Sequence, residues 1–536
     1  MGRVRFLQGD FESAISQFRA ALTAQPNESH FRFDLAVALH KAGRPEEAVA
    51  TYRVCLRTMT NNPQPLLHLG EALSQLGRLE EAVTSFRKAA ELSPQDVTLW
   101  SRLGKLLHRI GDHTGARSTW QQAVTLEPNN PRHWLALGKV WFQQRDWSQA
   151  EDCYRTGWHR NPQSSQLLSR LGLVLWEQNR LTEAEECLRQ AVELPPPVIE
   201  AERQLAAFCI YQTHQFKEGL SLLRRRLDRD PNSVTAHSDM AEAFLVTGHW
   251  REGWSEYEWR SHSPRFQQVV PRKPLWTGQA LAGQTLLLVA EQGFGDTIQF
   301  IRFASVLTER GARVILGCPQ PLVPLMQSVS CLTAAADREG ELPDYDLWAS
   351  LHSLPWLLEV TEANLPAKVP YVNAPKPVRT IPSSGCRKIG IVWAGNPKHP
   401  NDAHRSCPLS HWQPLFDLPD TTFVNLQVGA NQTDFQAHFA NRTNGVDTAQ
   451  AFTDFADTAS VVAQLDLVIT VDTAVAHLAG ALGKPVWVML PLNCDWRWLL
   501  QREDTPWYPT MRLFRQSRRG DWTDVIHRIR TALTSS

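Results

Sequence analysis

The sequence predicts an all-α solenoid of helical hairpins followed by an α/β half with two parallel sheets. Three observations lead to this prediction. A 34-residue period runs through the first half of the 536-residue chain, and near Pro264 it gives way to short apolar runs that alternate with helix-length segments. A stretch with five prolines, residues 366–386, then divides the second half. Several hydrophobic cores are expected, because a chain of this length exceeds what one core supports.

Small residues recur every 34 positions in the first half, with a single one-residue slip. They are Ala14, Ala48, Ala82, Ala116, Ala150, Ala184, Gly219 and Gly253. A large side chain follows each by four positions, and from the second unit on another small residue precedes each by twelve. Two helices approach closely only where a side chain is small, and the large side chain fills the wedge beside that contact. The pattern predicts about eight hairpins over 1–263. The first is incomplete, so that either the start is truncated or a short helix caps the array.

This period and its small, large and proline positions resemble the tetratricopeptide repeat, or TPR. The resemblance implies that the first helix of each unit lines a concave surface that binds chains or partner proteins. Three aromatic residues on those helices, Phe142, Trp176 and Tyr211, are therefore the candidate acceptor groove. Packing between repeats is the alternative for them, and both interpretations stay open. Trp100 and Trp134, at equivalent places in their units, are expected to be repeat core.

Six apolar runs in the second half predict buried parallel strands joined by crossover helices. They are residues 285–290, 314–317, 388–393, 422–427, 467–471 and 485–490. The proline-rich stretch separates two Rossmann-like domains, predicted at 264–375 and 376–536, and the last helix, 522–533, is expected to pack back across their junction. Two such sheets across a cleft resemble the GT-B architecture of many glycosyltransferases, which phosphorylases and sugar-nucleotide epimerases also use.

The loops after the apolar runs are where a ligand is expected, because ligands bind beyond the carboxyl ends of parallel strands. Gly293, Gly295 and Asp296 follow the first run. The glycines let a backbone or ligand come close, but Ile298 stands where a dinucleotide fingerprint has its third glycine. Asp296 is either a helix cap or a general base.

The loop after the run at 467–471 holds the second candidate site. Asp472 and Thr473 begin a helix of small residues, whose free N–H groups and dipole suit a diphosphate. His477, one turn further, is expected to face the same point. Capping and core packing are the alternatives for Asp472 and His477. The pair Gly483 and Lys484 is not a phosphate-binding P-loop, since Pro485 stands where Ser or Thr is needed.

Two segments, GFGD at 293–296 and DTAVAHLAGALGKP at 472–485, resemble the signature regions of the ADP-heptose lipopolysaccharide heptosyltransferase superfamily. The resemblance covers roughly residues 280 to 520 and includes the stretch 391–415. It implies that Asp296 is the catalytic base and that Arg405, in place of the family's lysine, contacts the donor. The neighbours Asn396, His399 and Asp402 are further donor-binding candidates.

The layout of the whole chain is similar to that of TPR-linked bacterial glycosyltransferases. It is similar in layout alone to O-GlcNAc transferase, because the H-P-x-H-H signature expected of that enzyme is missing from the sequence.

A third group of candidates lies in loops rich in tryptophan and charge. These are Asp495, Arg497, Trp498, Trp507 and Tyr508, in a chain with 20 Trp against 7 Tyr. Their rings could serve as platforms for a sugar or base, with core packing as the alternative. Asp344 and Asp346 match the D-x-D pattern of metal-dependent transferases, but they precede a strand in a domain type that needs no metal. We therefore assign no metal ligand.

Composition excludes several classes of partner. Lys plus Arg (55) equals Asp plus Glu (55), so nothing draws the whole chain to nucleic acid. The apolar runs fall far short of the roughly 18 to 20 residues of a membrane span. No secretory leader is recognisable and the nine cysteines form no C-x-x-C, so we expect a cytoplasmic protein with reduced thiols.

These inferences predict an inverting, metal-independent glycosyltransferase. It would move a sugar from a nucleoside diphosphate sugar, as co-substrate and without a cofactor, to a protein or glycan acceptor chosen by the array. The alternative is a non-catalytic scaffold in which the array gathers partners and the α/β half keeps its fold without activity.

Overall fold

The computed structural model describes residues 1–268, 271–377, 380–382, 385–399, 401–429 and 431–535. The chain divides into two compact units, Met1–Gln204 and Leu205–Ser536. The last repeat thus belongs to the same compact unit as the sheets, and the boundary divides the repeat before it. The domain boundaries at 263 and 375 stay predictions, and parts of the predicted linker, residues 378, 379, 383 and 384, lie outside the described residues.

Consecutive α-helices build the repeat region. They are α1 (Gly2–Leu7), α2 (Phe11–Ala24), α3 (Ser29–Lys41), α4 (Pro45–Cys55), α5 (Pro63–Gln75), α6 (Leu79–Leu92), α7 (Val97–Arg109), α8 (His113–Leu126), α9 (Pro131–Gln143), α10 (Trp147–Arg160), α11 (Ser165–Glu177), α12 (Leu181–Glu193), α13 (Ile199–Ala207), α14 (Phe216–Arg229), α15 (Val234–Val246) and α16 (Trp250–Tyr257). The short helix α1 packs against Phe18 through Gly2. The TPR-like fold of this region is confirmed.

The small and large positions of the repeats meet as the period predicts. A Cβ on Gly104 in α7 would lie 2.7 Å from the indole of Trp120 in α8, and one on Gly70 would lie 2.9 Å from the ring of Phe86. Gly138 contacts Tyr154 in the same way. Each hairpin therefore closes on a residue without room for a side chain, which is why the small residue recurs.

Two tryptophans that the sequence predicts to be repeat core lie there. Trp100 and Trp134 pack against the hydrophobic core of the array. Their indole N–H groups donate to the carbonyls of Pro94 and Pro128, at 2.8 and 2.7 Å. Each ring thereby fixes the start of its helix to the preceding turn.

The second unit contains two parallel sheets. Their strands are β1 (Thr285–Val289), β2 (Arg313–Cys318), β3 (Leu332–Asp337), β4 (Leu347–Ser350), β5 (Arg387–Val392), β6 (Thr421–Asn425), β7 (Gly445–Asp447), β8 (Leu467–Val471), β9 (Val486–Leu490) and β10 (Met511–Arg515). The first sheet has the order β3-β2-β1-β4 and the second β10-β9-β8-β5-β6-β7, with parallel pairing throughout.

All six predicted strands are present, but β3, β4, β7 and β10 had no predicted run. All four lie at sheet edges, and the side chains of β3 and β7 are mostly only half-buried. Strands that are not buried on both faces need no continuous apolar run. β4 is buried but only four residues long.

The remaining α-helices lie between or beside the strands. They are α17 (Pro264–Gln267), α18 (Phe294–Phe300), α19 (Ala304–Glu309), α20 (Val323–Met326), α21 (Leu354–Leu357), α22 (Asp402–Arg405), α23 (Gln413–Phe416), α24 (Thr433–Phe439), α25 (Phe455–Val462), α26 (Ala474–Ala481) and α27 (Trp522–Thr534). The expectation that the last helix packs across a domain junction is wrong. The apolar face of α27, with Val525 and Ile529, is part of the core of the six-stranded sheet. Within the described ranges, every helix is too short or too polar to cross a bilayer.

Candidate functional site

The predicted catalytic and donor-binding residues follow three strands, β1, β5 and β8. β1 lies between β2 and β4, and β5 lies between β6 and β8. At β5 and β8 the connections leave in opposite directions along the six-stranded sheet, which opens a crevice at the carboxyl ends of these strands. The loop after β1 and the loop after β8 are brought into contact by α18 and α26. A Cβ on Gly295 would lie 2.8 Å from the His477 ring and 3.4 Å from the Cα of Ala474.

Asp296 lies in the first turn of α18 and is held by two donors. The Gly293 N–H donates to its Oδ2 at 2.9 Å, and the Arg497 guanidinium forms an ion pair with its Oδ1. Its side chain remains 22% exposed. Burial tends to raise the pKa of Asp296, but the positive charge of Arg497, with His352 nearby, holds it below the ordinary value. The carboxylate is therefore ionised at neutral pH, and it caps the helix as the capping interpretation predicts.

Arg497 connects Asp296 to two other polar groups. Its Nη1 donates to Asp495 Oδ1 at 2.8 Å and its Nε to Gln299 Oε1 at 2.5 Å. The guanidinium lies 4.2 Å from the centre of the Trp496 ring, and the side chain is only 7% exposed. A cation this deeply buried depends on its carboxylate partners, so Arg497, Asp296 and Asp495 form one electrostatic unit.

His477 packs in the interior of the site. Its Nδ1 lies 3.0 Å from the Tyr508 hydroxyl, and its ring stacks on Trp498 at 5.3 Å. Burial, and then the positive charge of Arg497, lower the pKa of His477 to about 3. The ring is neutral at physiological pH and 4% exposed. The burial and contacts of the His477 ring agree with the core-packing alternative. Contact between His477 and a donor stays a prediction.

Asp472 and Thr473 precede α26 at the end of β8. Thr473 is the N-cap residue, and its hydroxyl lies 3.0 Å from that of Thr470. Asp472 is half-buried. Burial and the nearby charge of Asp495 raise the pKa of Asp472 to about 6, while Arg405 and Arg497 oppose the shift. The two arginines therefore lie within electrostatic range of the start of α26.

The loop after β5 supplies the remaining predicted residues. Arg405 Nε donates to Asp402 Oδ1 at 3.2 Å, and both side chains occupy the space above Gly395. Asn396 and His399 are exposed and shape the loop itself. Asn396 Oδ1 accepts from the Lys398 N–H at 3.0 Å, and His399 Nδ1 accepts from the Asn401 N–H at 3.2 Å.

The aromatic candidates do not form an open platform. The rings of Trp498, Trp507 and Tyr508 are completely buried, so the packing alternative is correct for them.

The prediction of an acceptor groove on the repeats needs a similar correction. Trp176 is 2% and Tyr211 7% exposed, because both rings fill space between helices. Phe142 is half-buried and meets the edge of Trp147 at 5.0 Å.

Sequence reasoning missed a buried network around Glu291, the second residue after β1. Glu291 Oε1 accepts from Ser350 at 2.5 Å and from Arg260 at 3.2 Å, and its Oε2 lies 3.0 Å from His352 Nδ1. Burial would raise the pKa of Glu291, but His352 and Arg260 bring it down to about 2. A glutamate just after an apolar strand is the one sign of this network that the sequence offers, because a buried carboxylate needs polar partners. Its partners Arg260 and His352 lie 31 and 61 residues away, so no local pattern reveals them.

Two family models match parts of this chain. Residues 29–244 match a TPR model whose description is Cilia and flagella-associated protein 70 C-terminal domain. Residues 428–488 match Glycosyltransferase family 9 (heptosyltransferase). The second match is short. It contains the segment from Asp472 to His477 but neither Asp296 nor Arg405.

The chain is similar to several known proteins. It is 30% identical over 329 residues to Protein FlbA of Caulobacter vibrioides, a match that covers 55% of this chain and 54% of FlbA. The chain thus spans about half the length of this curated relative. Among solved structures, the C-terminal part of a TPR repeat-containing protein from Cytophaga hutchinsonii is 13% identical, with a TM-score of 0.38 over 45% of this chain and 98% of that one. A thermophilic TPR protein from Thermus thermophilus is 24% identical, with a TM-score of 0.29 over 34% and 99%. Together, the family matches and FlbA support a TPR-like region followed by a glycosyltransferase-like one.

Proposed function

We propose that this chain is a glycosyltransferase with a GT-B fold that moves a sugar from a nucleoside diphosphate to a protein or glycan acceptor chosen by the repeat region. One observation carries the proposal. The six-stranded sheet has, from β7 to β10, the strand order of a doubly wound nucleotide-binding domain, with β5 and β8 at the switch point. The residues predicted from the sequence follow those two strands and β1, which holds the matching place in the other sheet.

Arg405 and the start of α26 are the donor side of the proposed site. A helix N-terminus favours negative charge through its free N–H groups and its dipole. Thr473 makes no capping hydrogen bond to the first N–H groups of α26, so its side chain does not occupy that end. Arg405, close enough to influence Asp472, adds a fixed positive charge. Such groups stabilise the charge that grows on a leaving diphosphate, and no metal is needed for this step.

Asp296 is the proposed base. It is ionised at neutral pH, and each carboxylate oxygen has two acceptor positions, so the bonds from Gly293 and Arg497 leave room for the proton of an acceptor hydroxyl. A lowered pKa makes a weak base. A donor diphosphate that attracted Arg497 would weaken the ion pair and strengthen Asp296 as a base. Direct displacement at the sugar carbon would invert its configuration.

The alternative function is a scaffold without activity. The observation that favours it is that both oxygens of Asp296 already have partners, as in a structural cap. The two functions differ in nucleotide binding, because a scaffold needs none.

Calorimetry with ADP, GDP and UDP on the full chain tests the proposal. One nucleoside diphosphate should bind, and Arg405→Gln should weaken it about 10- to 100-fold, the range for loss of a charge-assisted hydrogen bond. Arg442→Gln is the matched control, since Arg442 pairs with Asp417 in the same sheet domain and lies away from the predicted residues. Binding of no nucleotide, or equal affinity in wild type and Arg405→Gln, would exclude the proposed donor site.

A further inference from the structure

Two neighbouring repeats carry an unbalanced positive charge on their first helices. α7 and α9 contain five lysines and arginines and no acidic residue; they are Arg102, Lys105, Arg109, Arg132 and Lys139. The first helices of the flanking units each include an acid, Glu71 in α5 and Glu177 in α11. Because the whole chain has 55 basic and 55 acidic residues, the excess on α7 and α9 is a local feature.

The two helices line a groove of about 520 Å³. Its apolar part includes Val97, Trp120 and Ala136, and its polar part includes Lys105, His108, Arg132 and Lys139. Glu127 is the acidic residue of the lining, and it already accepts from Asn130 at 2.9 Å and lies 3.0 Å from His133 Nε2. The groove therefore offers positive charge beside an apolar floor.

Lys105 and Lys139 are two basic residues of this groove that have no ion-pair partner among the described residues. Both side chains are exposed. Among the residues that the structure describes, no acidic side chain lies within ion-pair distance of either lysine, whereas Arg102 pairs with Glu71 at 2.6 Å. Two cations with no internal partner are available to an external anion.

The spacing of the two lysines fits an extended chain. They occupy equivalent positions in consecutive repeats, 34 residues apart. Packed helices lie about 10 Å apart. An extended polypeptide in the polyproline II conformation has three residues per turn and rises about 3.1 Å per residue, so two acidic side chains three residues apart lie on the same face and are separated by about 9 Å.

We propose that the α7–α9 groove binds an extended acidic segment of a partner polypeptide, with acidic side chains three residues apart on Lys105 and Lys139. The groove would be a binding site for the acceptor of the proposed transferase. Its biological use rests on that proposed function, whereas the binding of the peptide itself needs no catalysis. A polypeptide fits better than a nucleic acid. Nucleic-acid affinity comes from roughly six to ten phosphate contacts, far more than this groove provides.

Fluorescence polarisation on the full chain tests the proposal. The probe is a labelled dodecapeptide with two glutamates three residues apart, compared with the same peptide carrying glutamines. The acidic peptide should bind, with affinity that falls as salt is added. Lys105→Glu combined with Lys139→Glu should weaken binding at least about 10-fold, the equivalent of about 1.4 kcal/mol. Arg87→Glu with Lys88→Glu is the matched control, because both residues are exposed on α6 and the change in net charge is the same.

Three results would overturn the proposal. The first is equal binding of the glutamate and glutamine peptides, and the second is equal loss of binding in the α6 and groove variants. The third is a single-stranded oligonucleotide that binds more tightly than the peptide and depends on the two lysines. Lys105→Gln with Lys139→Gln keeps the test valid if charge reversal disturbs folding, and it should also lose peptide affinity. Nucleoside diphosphate calorimetry reports separately on the proposed transferase, so failure of one proposal is distinguishable from failure of the other.

Discussion

At the scale of single residues, Arg497 controls what Asp296 can do. The guanidinium bridges Asp296 and Asp495, and it is nearly buried. Removing either carboxylate leaves Arg497 with the other, so neither change strands a buried charge without a partner. Substituting each aspartate in turn therefore distinguishes a catalytic base from a carboxylate that only pairs with Arg497.

Asp296→Asn should reduce sugar transfer or donor hydrolysis by about 10² or more, because an amide cannot accept the acceptor proton. Nucleoside diphosphate affinity should stay near that of wild type. Asp495→Asn is the control, since it removes the other partner of Arg497 without touching the loop after β1. Steady-state rates of nucleotide release measure both variants. Equal rate losses in the two variants would assign Asp296 a structural role only.

His477 should make the folded state sensitive to acid. Its pKa is about 3 in the folded protein, against an ordinary value of 6.5. Between pH 3 and pH 6.5 the unfolded state binds a proton at His477 that the folded state does not bind. The free energy of unfolding therefore falls as pH decreases from 6.5 toward 3. The expected slope from this residue is about 1.4 kcal/mol per pH unit.

The variant His477→Gln has no such proton, so its stability should depend less steeply on pH. Urea unfolding at pH 7 and pH 5 measures the difference between variant and wild type. A difference that is the same at both pH values would mean that His477 is not buried in its neutral form.

At the scale of elements, the contact between α18 and α26 joins the two sheets at the predicted site. Gly295 makes this contact possible because it has no side chain where the His477 ring and the Ala474 backbone approach. The glycine matters here for close approach, as the sequence suggested, although its neighbour is another helix.

Gly295→Ala should destabilise the protein by about 1 to 3 kcal/mol, the range for overpacking, and weaken nucleoside diphosphate binding by displacing α26. Gly340→Ala is a matched control in the same half, because its added Cβ would meet its nearest neighbour at an ordinary 3.5 Å. Denaturant unfolding and calorimetry check both effects. If Gly295→Ala behaved like Gly340→Ala, the two helices would be free to separate without cost.

At the scale of the whole molecule, the last repeat helices are part of the unit that contains the sheets. Trp254 Nε1 donates to the carbonyl of Val360 at 3.1 Å, and Trp250 stacks on Trp507 at 5.3 Å. Arg260 supplies a charge to the buried Glu291. The sheets therefore depend on residues that the repeat period assigns to the array.

A chain that starts at Pro264 should fail to fold stably. It lacks Trp250 and Trp254, whose loss uncovers apolar surface, and it leaves Glu291 without Arg260. A chain that starts at Ile199, the beginning of α13, retains these contacts and should unfold cooperatively. Size-exclusion chromatography and thermal unfolding distinguish the two. A shorter chain that is monomeric and as stable as the longer one would show that the aromatic contacts are dispensable.

The sequence by itself determined the features that repeat or alternate locally. The 34-residue period located the hairpins, because the close helix contact at Gly104 or Gly138 requires a small residue in every unit. Apolar runs located six strands, and with them the loops that carry Asp296, Arg405 and Asp472. Such patterns can be read from a sequence since helices and buried strands impose their own periods on neighbouring residues.

Only the tertiary structure decided which of these segments meet. Strand order put β5 beside β8 and β1 beside β4, and no local pattern encodes that order. The ion pair of Asp296 with Arg497 joins residues 201 positions apart, and it turned a candidate base into a carboxylate with a lowered pKa. Trp176, Trp507 and Tyr508 look alike in sequence whether they line a groove or fill a core. The packing around them settled that they are buried, because burial depends on neighbours that are distant in the chain.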